Sequence, residues 1–506
     1  MTTAPDPPGS RVLGNIVSGW GQFAITIAAG LFLTPFVIHR AGDAGYGVLI
    51  LVESILGYSE FLYLGLGSAV SRYAARFRGE QDPAALRTLG GTVLALYLGC
   101  GTLLAAVVLL LAPVVPRLFD LSPDLTADAV LAVRVLGLTT AIAFPASAFS
   151  GLLRGHERIA TLNAIKVGEL FLRLTLLVWL LRPEHALRTL VLVGAATGIA
   201  GALCRVIAAL PVLGFLPNPR AFRREMLRRI AGFSLFSFLI DLAERVLFKT
   251  DGVLIGAFLP ATSITSYAVP GRLIEYPRQL LLRVREALQP RFALLAVEPG
   301  GAAAFLPEAG RWGALLGLPL VSSVVFGGPA FLELWIGESF PESAVILACL
   351  GVAQLVRAPG YVCEAALWGT GRVAWLSGLL LVEATANLGL SIACIGRYGI
   401  TGAAVGTLLP AALLSAIVMP WMACRATGAS LAGFLGMAWG RPLLAATPMV
   451  GVHALLRPAL GSTWPDLIGR IGAGVLVYLV AAWWVGLHEQ ERHRILQLST
   501  SRRRTS

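Results

Sequence analysis

The chain has 506 residues, 56% of them hydrophobic and 13% charged, with a mean hydropathy of +0.76. So few polar groups cannot cover a water-facing surface, which excludes a soluble globular protein and places the chain in a bilayer. The net charge of +12 would suggest nucleic acid in a soluble protein; here the basic residues stand between apolar runs and read as determinants of topology, with no nucleic-acid role.

From Val12 to Gly486 apolar runs of roughly 18 to 25 residues follow one another, each long enough to cross about 30 Å of hydrocarbon as a helix. Barrel strands would alternate over about ten residues, so helices are the spanning form that fits. The chain is read as an all-α polytopic membrane protein of about fourteen spans. Six, at about 12–38, 46–70, 88–112, 128–152, 164–181 and 189–214, make an N-terminal lobe over 1–214. A basic connection at 215–229 follows. Six more, at about 230–259, 264–290, 310–336, 343–368, 374–396 and 400–424, make a C-terminal lobe over 230–424. Two additional spans, near 441–458 and 468–486, occupy 425–486, and a basic tail runs over 487–506.

Arg72, Arg76, Arg78 and Arg87, then Arg154 and Arg158, then Arg220, Arg223, Arg224, Arg228 and Arg229 occupy alternate connections, all on one side. The opposite connections are poor in cations. The positive-inside rule therefore puts the rich side and both termini in the cytoplasm, consistent with Arg502-Arg503-Arg504 in the tail. The first apolar segment is too long for a signal-peptide core and reads as a retained helix. Six cysteines lie singly within spans, without disulfide or metal spacing.

No connection exceeds about twenty residues, which leaves no room for a soluble catalytic domain. Asp120, Asp124 and Asp128, beside Pro123, are better read as helix-start acids near Ser122 than as an active-site fragment. Lys166 and Lys249 follow Ile165 and Phe248, so the chain has no phosphate-binding Gly-Lys-Ser/Thr loop.

Pro145, Gly155, Arg158 and Glu169 recur as Pro359, Gly369, Arg372 and Glu383, every pair 214 residues apart. Leu153, Ala160, Leu162, Leu174 and Leu176 match Leu367, Ala374, Leu376, Leu388 and Leu390 at the same offset. Shared Leu and Ala mean little in apolar helices, whereas Pro, Gly, Arg and Glu are infrequent there and point to internal duplication. An even number of spans per lobe gives both copies one orientation, hence parallel repeats about a pseudo-two-fold along the membrane normal.

Embedded charge marks where chemistry would sit. In the seventh span Ser234, Ser237, Asp241, Glu244, Arg245, Lys249 and Asp251 fall within about 80° of Asp241 at 100° per residue, a stripe expected to face a watery cavity or the other lobe. The eighth adds Arg272, Glu275, Arg278, Gln279, Arg283, Arg285 and Glu286, with Pro270 and Pro277 to bend it; its cationic surplus suits a phosphate or diphosphate. Lys166, Glu169 and Arg173 share a face of the fifth span, where the second copy keeps Glu383 but has Asn387 in place of Arg173. Arg134, Arg205 and Arg357 are further embedded cations, and Glu53 and Glu60 further acids. The expected substrate cations are Arg245, Lys249, Arg272, Arg173, Lys166 and Arg134. Asp241, Glu244, Asp251, Glu169, Glu383 and Glu60 are the acids expected to pair with them or to carry a coupling proton or sodium ion; no other cofactor is expected.

The stretches Pro35-Phe36-Val37-Ile38, Gly45-Tyr46-Gly47, Gly57-Tyr58, Leu64-Gly65-Leu66-Gly67-Ser68-Ala69 and Arg72-Tyr73 resemble the first two helices of bacterial polysaccharide transporters, the O-antigen-type flippases of the multidrug/oligosaccharidyl-lipid/polysaccharide exporter superfamily. Arg245, Thr250-Asp251, Ile255-Gly256, Tyr267, Arg272-Leu273 and Pro290 resemble its seventh and eighth. The resemblance implies two six-helix lobes around a cationic cavity that opens alternately to either side. It implies a substrate too: an oligosaccharide on a polyprenyl diphosphate, flipped from the cytoplasmic to the periplasmic leaflet of the inner membrane for surface or exported polysaccharide synthesis. Membrane lipids and the polysaccharide polymerase and export machinery are the partners this implies. Where the family often has an acid before the Leu-Gly-Leu-Gly turn this chain has Tyr63, with Glu60 one turn earlier. A drug/cation antiporter of the same superfamily, a membrane glycosyltransferase or polymerase, and an inactive relative that recruits partners stand as the other readings.

Overall fold

The computed structural model describes residues 8–63, 66–119, 121–337, 340–456, 463–487, 489 and 491–493, with side chains except at 8–17, 60, 68, 124 and 231–234. Every regular element among the described residues is helical, as hydrocarbon demands of a backbone that must satisfy its own polar groups. Helix α1 (Pro8–Gly57) is two rods broken at Gly42, and a 3₁₀ stretch over Tyr58–Tyr63 leads into α2 (Leu66–Gly79). Helix α3 (Pro83–Leu111) opens on Asp82, whose carboxylate accepts the Ala85 N–H at 2.9 Å, with proline next in place where no N–H is needed. Then come α4 (Pro123–Gly155), α5 (Ile159–Leu180), α6 (Ala186–Leu213) and α7 (Arg224–Phe258). These, with the first turn of α8 (Ala261–Leu295), form one compact unit, Met1–Thr265.

The second unit, Ser266–Ser506, holds the rest of α8, then α9 (Gly301–Ile336), α10 (Ser343–Gly369), α11 (Val373–Pro410, broken at Gly399), α12 (Met419–Thr427), α13 (Arg441–Leu456) and α14 (Trp464–Ala481). Divided at the two glycines, the described helices follow the order of the about fourteen expected spans. Eight are long and apolar enough to cross a membrane by length and composition. Helices α5, α7 and α8 are not among those eight because charged side chains interrupt them.

The contacts divide the chain at Thr265, whereas the sequence-based boundary lay in the basic connection at 215–229. Helix α7 therefore groups with the first unit, packed on α1, α2 and α3. Small residues allow this approach: a Cβ on Gly252 of α7 would stand 2.8 Å from Ser54 Oγ, and at the start of α8 the Ala261 carbonyl oxygen would stand 2.1 Å from a Cβ on Gly47. Thr265 Oγ1 donates to the Asp43 carbonyl at 2.7 Å across the same contact.

Each unit repeats one local structure. A Cβ on Gly155 would meet Ala74 Cβ at 2.5 Å and the Ser71 carbonyl oxygen at 2.8 Å, where α4 ends against α2. One on Gly369 would meet Phe292 Cβ at 2.5 Å and the Ala293 nitrogen at 2.7 Å, where α10 ends against α8. The turns that follow agree as well: Arg158 has φ −89° and ψ 43°, Arg372 φ −88° and ψ 37°. Their N–H groups donate to the Leu153 and Leu367 carbonyls at 3.0 and 2.8 Å. Just before them Glu157 and Gly371 both have positive φ, 59° and 74°, a conformation natural to glycine and strained in glutamate. The repeated Gly and Arg thus mark a helix-to-helix contact and the turn that leaves it.

Helices α13 and α14 are built into the second unit against α9. Tyr478 Oη donates to the Leu315 carbonyl at 2.6 Å inside a cluster of Leu318, Ala445, Ala446 and Met449. Arg311, 1% exposed, donates to the Gly486 carbonyl at 2.8 Å and to Glu491, satisfying an orphan acceptor where the last helix ends.

Replacing Gly155 or Gly369 by valine is expected to destabilise the purified protein by roughly 1–3 kcal/mol, through overpacking of a backbone contact that cannot yield. Gly168→Val introduces the residue that Val382 already supplies at the repeat position, with no atom within 4 Å of the added Cβ. Thermal melts in detergent should show losses for the first two and none for the third.

Candidate functional site

A carboxylate in hydrocarbon needs a cation or hydrogen-bond donors beside it. The duplicated glutamates meet this need differently. In the first unit Glu169 on α5 fits under Gly201 on α6, where a Cβ would stand 2.2 Å from its Oε2. Arg205, one turn along α6, approaches the same oxygen at 3.6 Å, and both side chains keep 20–30% of their surface exposed. Arg173 and Lys166 lie within electrostatic reach of that carboxylate.

In the second unit Glu383 on α11 is 0% exposed. One of its oxygens accepts from Arg357 on α10 and the other accepts from Ser415 Oγ at 2.8 Å. Ser415 occupies the repeat position of Gly201, and Asn387, the repeat of Arg173, donates to Thr407 Oγ1 at 2.9 Å. The second copy is sealed; in the first, Glu169 and Arg205 stay partly exposed, and Arg173, within electrostatic reach of that carboxylate, lines a cavity.

That cavity, about 310 Å³, lies inside the first unit among Leu49, Glu53, Leu56, Gly57, Ser59, Tyr63, Leu136, Thr139, Thr140, Arg173, Leu190 and Gly194. Helix α5 supplies Arg173, and α1 supplies Glu53 at 4.0 Å from the guanidinium. The Thr139 and Thr140 hydroxyls donate to their own helix at 2.7 and 2.8 Å, and Tyr63 Oη accepts from Ser147 at 3.1 Å. Cations outnumber acids in this neighbourhood: Lys166, Arg173 and Arg205 face Glu53 and Glu169. Such a site can hold a small anionic group.

The charged stripe of α7 has mixed exposure. Asp241 and Lys249 are exposed, Glu244, Arg245 and Asp251 half-buried, and the Ser234 side chain lies outside the described residues. Next to Lys249 the buried Thr250 hydroxyl pairs with Tyr58 Oη at 2.6 Å, and the Lys249 stem passes Gly57, where a Cβ would stand 3.9 Å from its Cγ. Lys249 thus sits beside the 3₁₀ stretch that closes one end of the cavity. On α8, by contrast, the cations are largely engaged within the helix's own unit. Arg278 holds Glu275 through two bonds of 2.6 and 2.7 Å, Arg283 pairs with Glu286 at 3.1 Å and Arg285 with Glu364 at 2.8 Å. Arg272 is half-buried near Tyr276.

Of the expected site residues, Arg173 lines the cavity, and Lys166 and Glu169 are not among the lining residues. Arg134 is exposed on α4 and is not among the lining residues. The Glu60 side chain and all of Asp120 lie outside the described residues. Ser59, Thr139, Thr140, Thr407 and Ser415 carry no charge and stand out in no pattern, so sequence reading passed over them. A 214-residue search from Gly201 would have pointed to Ser415. Among the described residues no group of three His, Cys, Asp or Glu side chains is placed to hold a metal ion.

Residues 21–179 match the sequence model of the MatE family. The chain is 24% identical over 516 residues to an uncharacterized membrane protein, EpsK, of Bacillus subtilis (strain 168), covering 96% of this chain and 97% of that one. Its fold is similar to that of a multidrug resistance MATE family transporter of the MOP superfamily in an inward-facing conformation, with a TM-score of 0.66, 16% identity, and 80% of this chain and 95% of that one covered. It is equally similar to that of the lipid II flippase MurJ in an inward closed conformation, with a TM-score of 0.66, 13% identity, and 92% and 97% covered. At such identities the likeness is one of fold: an all-helical, two-lobed membrane architecture.

Arg357→Leu strands a fully buried carboxylate, so it should cost about 3–5 kcal/mol, and the added change Glu383→Gln should restore most of it. Arg205→Leu should cost about 1 kcal/mol, because water reaches Glu169. Melting of the four proteins in one detergent orders them; equal losses for Arg357→Leu and Arg205→Leu would contradict the difference between sealed and open copies.

Proposed function

We propose that the protein is a flippase that carries a polyprenyl-diphosphate-linked oligosaccharide from the cytoplasmic to the periplasmic leaflet by alternating access. Surface or exported polysaccharide synthesis is the process it serves. The observation that carries this reading is the extent of the fold likeness: a lipid II flippase matches over 92% of this chain, the multidrug transporter over 80%. Arg173 on the first-unit cavity, with Lys166 and Arg205 grouped around the neighbouring Glu169, supports an anionic head group, and the basic connections support cytoplasmic termini in an inner membrane. Glu169, partly exposed beside its cations, is the acid best placed to carry a coupling proton or sodium ion. No bond of the substrate needs to be made or broken: the diphosphate is held while the polyprenyl tail stays in lipid. A polymerase and export machinery that consume the flipped glycan are the proposed partners.

The MatE family match and the equal TM-score of the multidrug transporter favour a second reading, a drug/cation antiporter. The two differ in cargo charge and in lipid. A strain lacking the protein should accumulate lipid-linked oligosaccharide on the cytoplasmic leaflet, and liposomes holding the purified protein should move that lipid across. Unchanged lipids together with raised sensitivity to cationic drugs would select the antiporter.

A further inference from the structure

The first-unit cavity contains hydrogen-bonding capacity that its own walls do not use. Arg173 Nε and Ser59 Oγ are the buried polar atoms among its lining residues that lack a partner, and Ser59 is 7% exposed. Buried donors are normally satisfied, so two such atoms lining one cavity call for a ligand or an ordered water. The nearest acid, Glu53, stays 4.0 Å from the guanidinium, beyond hydrogen-bond range, and keeps 44% of its side chain exposed. Arg173 therefore has a counter-ion held at a distance, and with 36% of its side chain exposed it can meet a second one.

The chain supplies its own comparison. At the repeat position the second unit has Asn387, whose amide donates to Thr407 at 2.9 Å in a sealed interior. A residue needed only to join helices takes that form. Arg173 instead keeps a full charge, 36% exposed, on a cavity of about 310 Å³. That volume holds about ten waters' worth of space at ~30 Å³ each, enough for a phosphoryl or carboxylate group with part of what bears it.

We infer that Arg173 and Ser59 form an oxyanion subsite, in which an anionic group of the cargo replaces Glu53 as the partner of Arg173. An incoming oxygen accepts from the Arg173 guanidinium, and a turn of the Ser59 hydroxyl donates to a second oxygen. Glu53 is then released toward the open cavity, where its exposed side keeps it solvated. Glu169, with Arg205 at 3.6 Å and Lys166 nearby, is not displaced by the cargo, and with it ionised the five groups leave a surplus of one cation. The bound group is either a lipid diphosphate or the carboxylate of an acidic sugar; the chemistry of the subsite is common to both. This inference rests on the flippase reading for its cargo but on the cavity alone for its residues.

The test uses the full-length protein in nanodiscs of zwitterionic lipid, titrated with farnesyl diphosphate, glucuronate and inorganic phosphate. At least one of the three should bind; diphosphate alone identifies the lipid head group as the source and glucuronate alone the sugar acid. Arg173→Gln should weaken that binding about tenfold or more and Ser59→Ala about threefold, each variant keeping its unliganded melting temperature within a few degrees. Glu53→Gln should tighten it severalfold, because the competing carboxylate is gone. That opposite sign cannot come from misfolding. Binding that is absent in the unaltered protein, indifferent to Arg173→Gln, or weakened by Glu53→Gln overturns the subsite. Lipid flipping is measured on the same preparations. Flipping with no effect of Arg173→Gln on binding removes the subsite and leaves the flippase reading, whereas binding through Arg173 without flipping removes the flippase reading and leaves the subsite.

Discussion

A carboxylate cannot remain alone in hydrocarbon, and this requirement organises both halves of the chain. Each half keeps a glutamate at the same repeat position, and each provides an arginine for it, yet the arginines come from different places. Arg205 stands on α6, one helix after Glu169; Arg357 stands on α10, one helix before Glu383. Neither arginine has a counterpart at the repeat position, since Met419 and Ala143 stand there. The charge balance has therefore been maintained while its geometry changed. The carboxylate is the fixed element and the cation the variable one.

The route of the cation decides what else each half can do. Arg357 and Ser415 occupy both oxygens of Glu383 and leave no surface exposed. In the first unit glycine replaces the serine, the arginine stops at 3.6 Å, and both charged side chains stay 20–30% exposed. Loss of one hydroxyl at position 201 and relocation of one guanidinium thus convert a closed polar core into an accessible one. Close helix contacts make such small changes count: Gly155 and Gly369 fix α4 on α2 and α10 on α8 at backbone distance, so the frame does not relax to absorb them.

Much of this architecture was legible in the sequence because hydrophobic length and the cost of buried charge are local properties. The order of the helices, the duplication and the embedded charges all follow from the residues themselves. The repeated Gly-to-Arg segment was legible too, and the structure gives its reason in the left-handed residue at 157 and 371 and the shared turn. What sequence could not supply was partnership. Arg205 and Arg357 were visible as buried cations, but their distances of 36 and 26 residues from the glutamates carry no periodicity that names a partner. Grouping of α7 was equally out of reach, since glycines at 47, 252 and 256 permit close packing without saying against which helix. The uncharged lining of the cavity, Ser59, Thr139 and Thr140, is ordinary in composition and becomes informative only once two separate helical stretches bring it together.

Duplication gives this reading more force than either half alone provides. Both copies face the same hydrocarbon and share one frame, so a difference between equivalent positions is not a requirement of the fold. Position 173/387 is such a difference: the asparagine closes a hydrogen bond to Thr407, and the arginine keeps a charge beside a cavity, with Glu53 at 4.0 Å, beyond hydrogen-bond range. Holding that arrangement costs desolvation that a neutral residue avoids, even with Glu53 at 4.0 Å. The sealed copy demonstrates that the same frame accommodates a neutral residue. A cost that the fold could avoid, and does avoid 214 residues later, is physical evidence that the open charge at Arg173 serves something other than the fold.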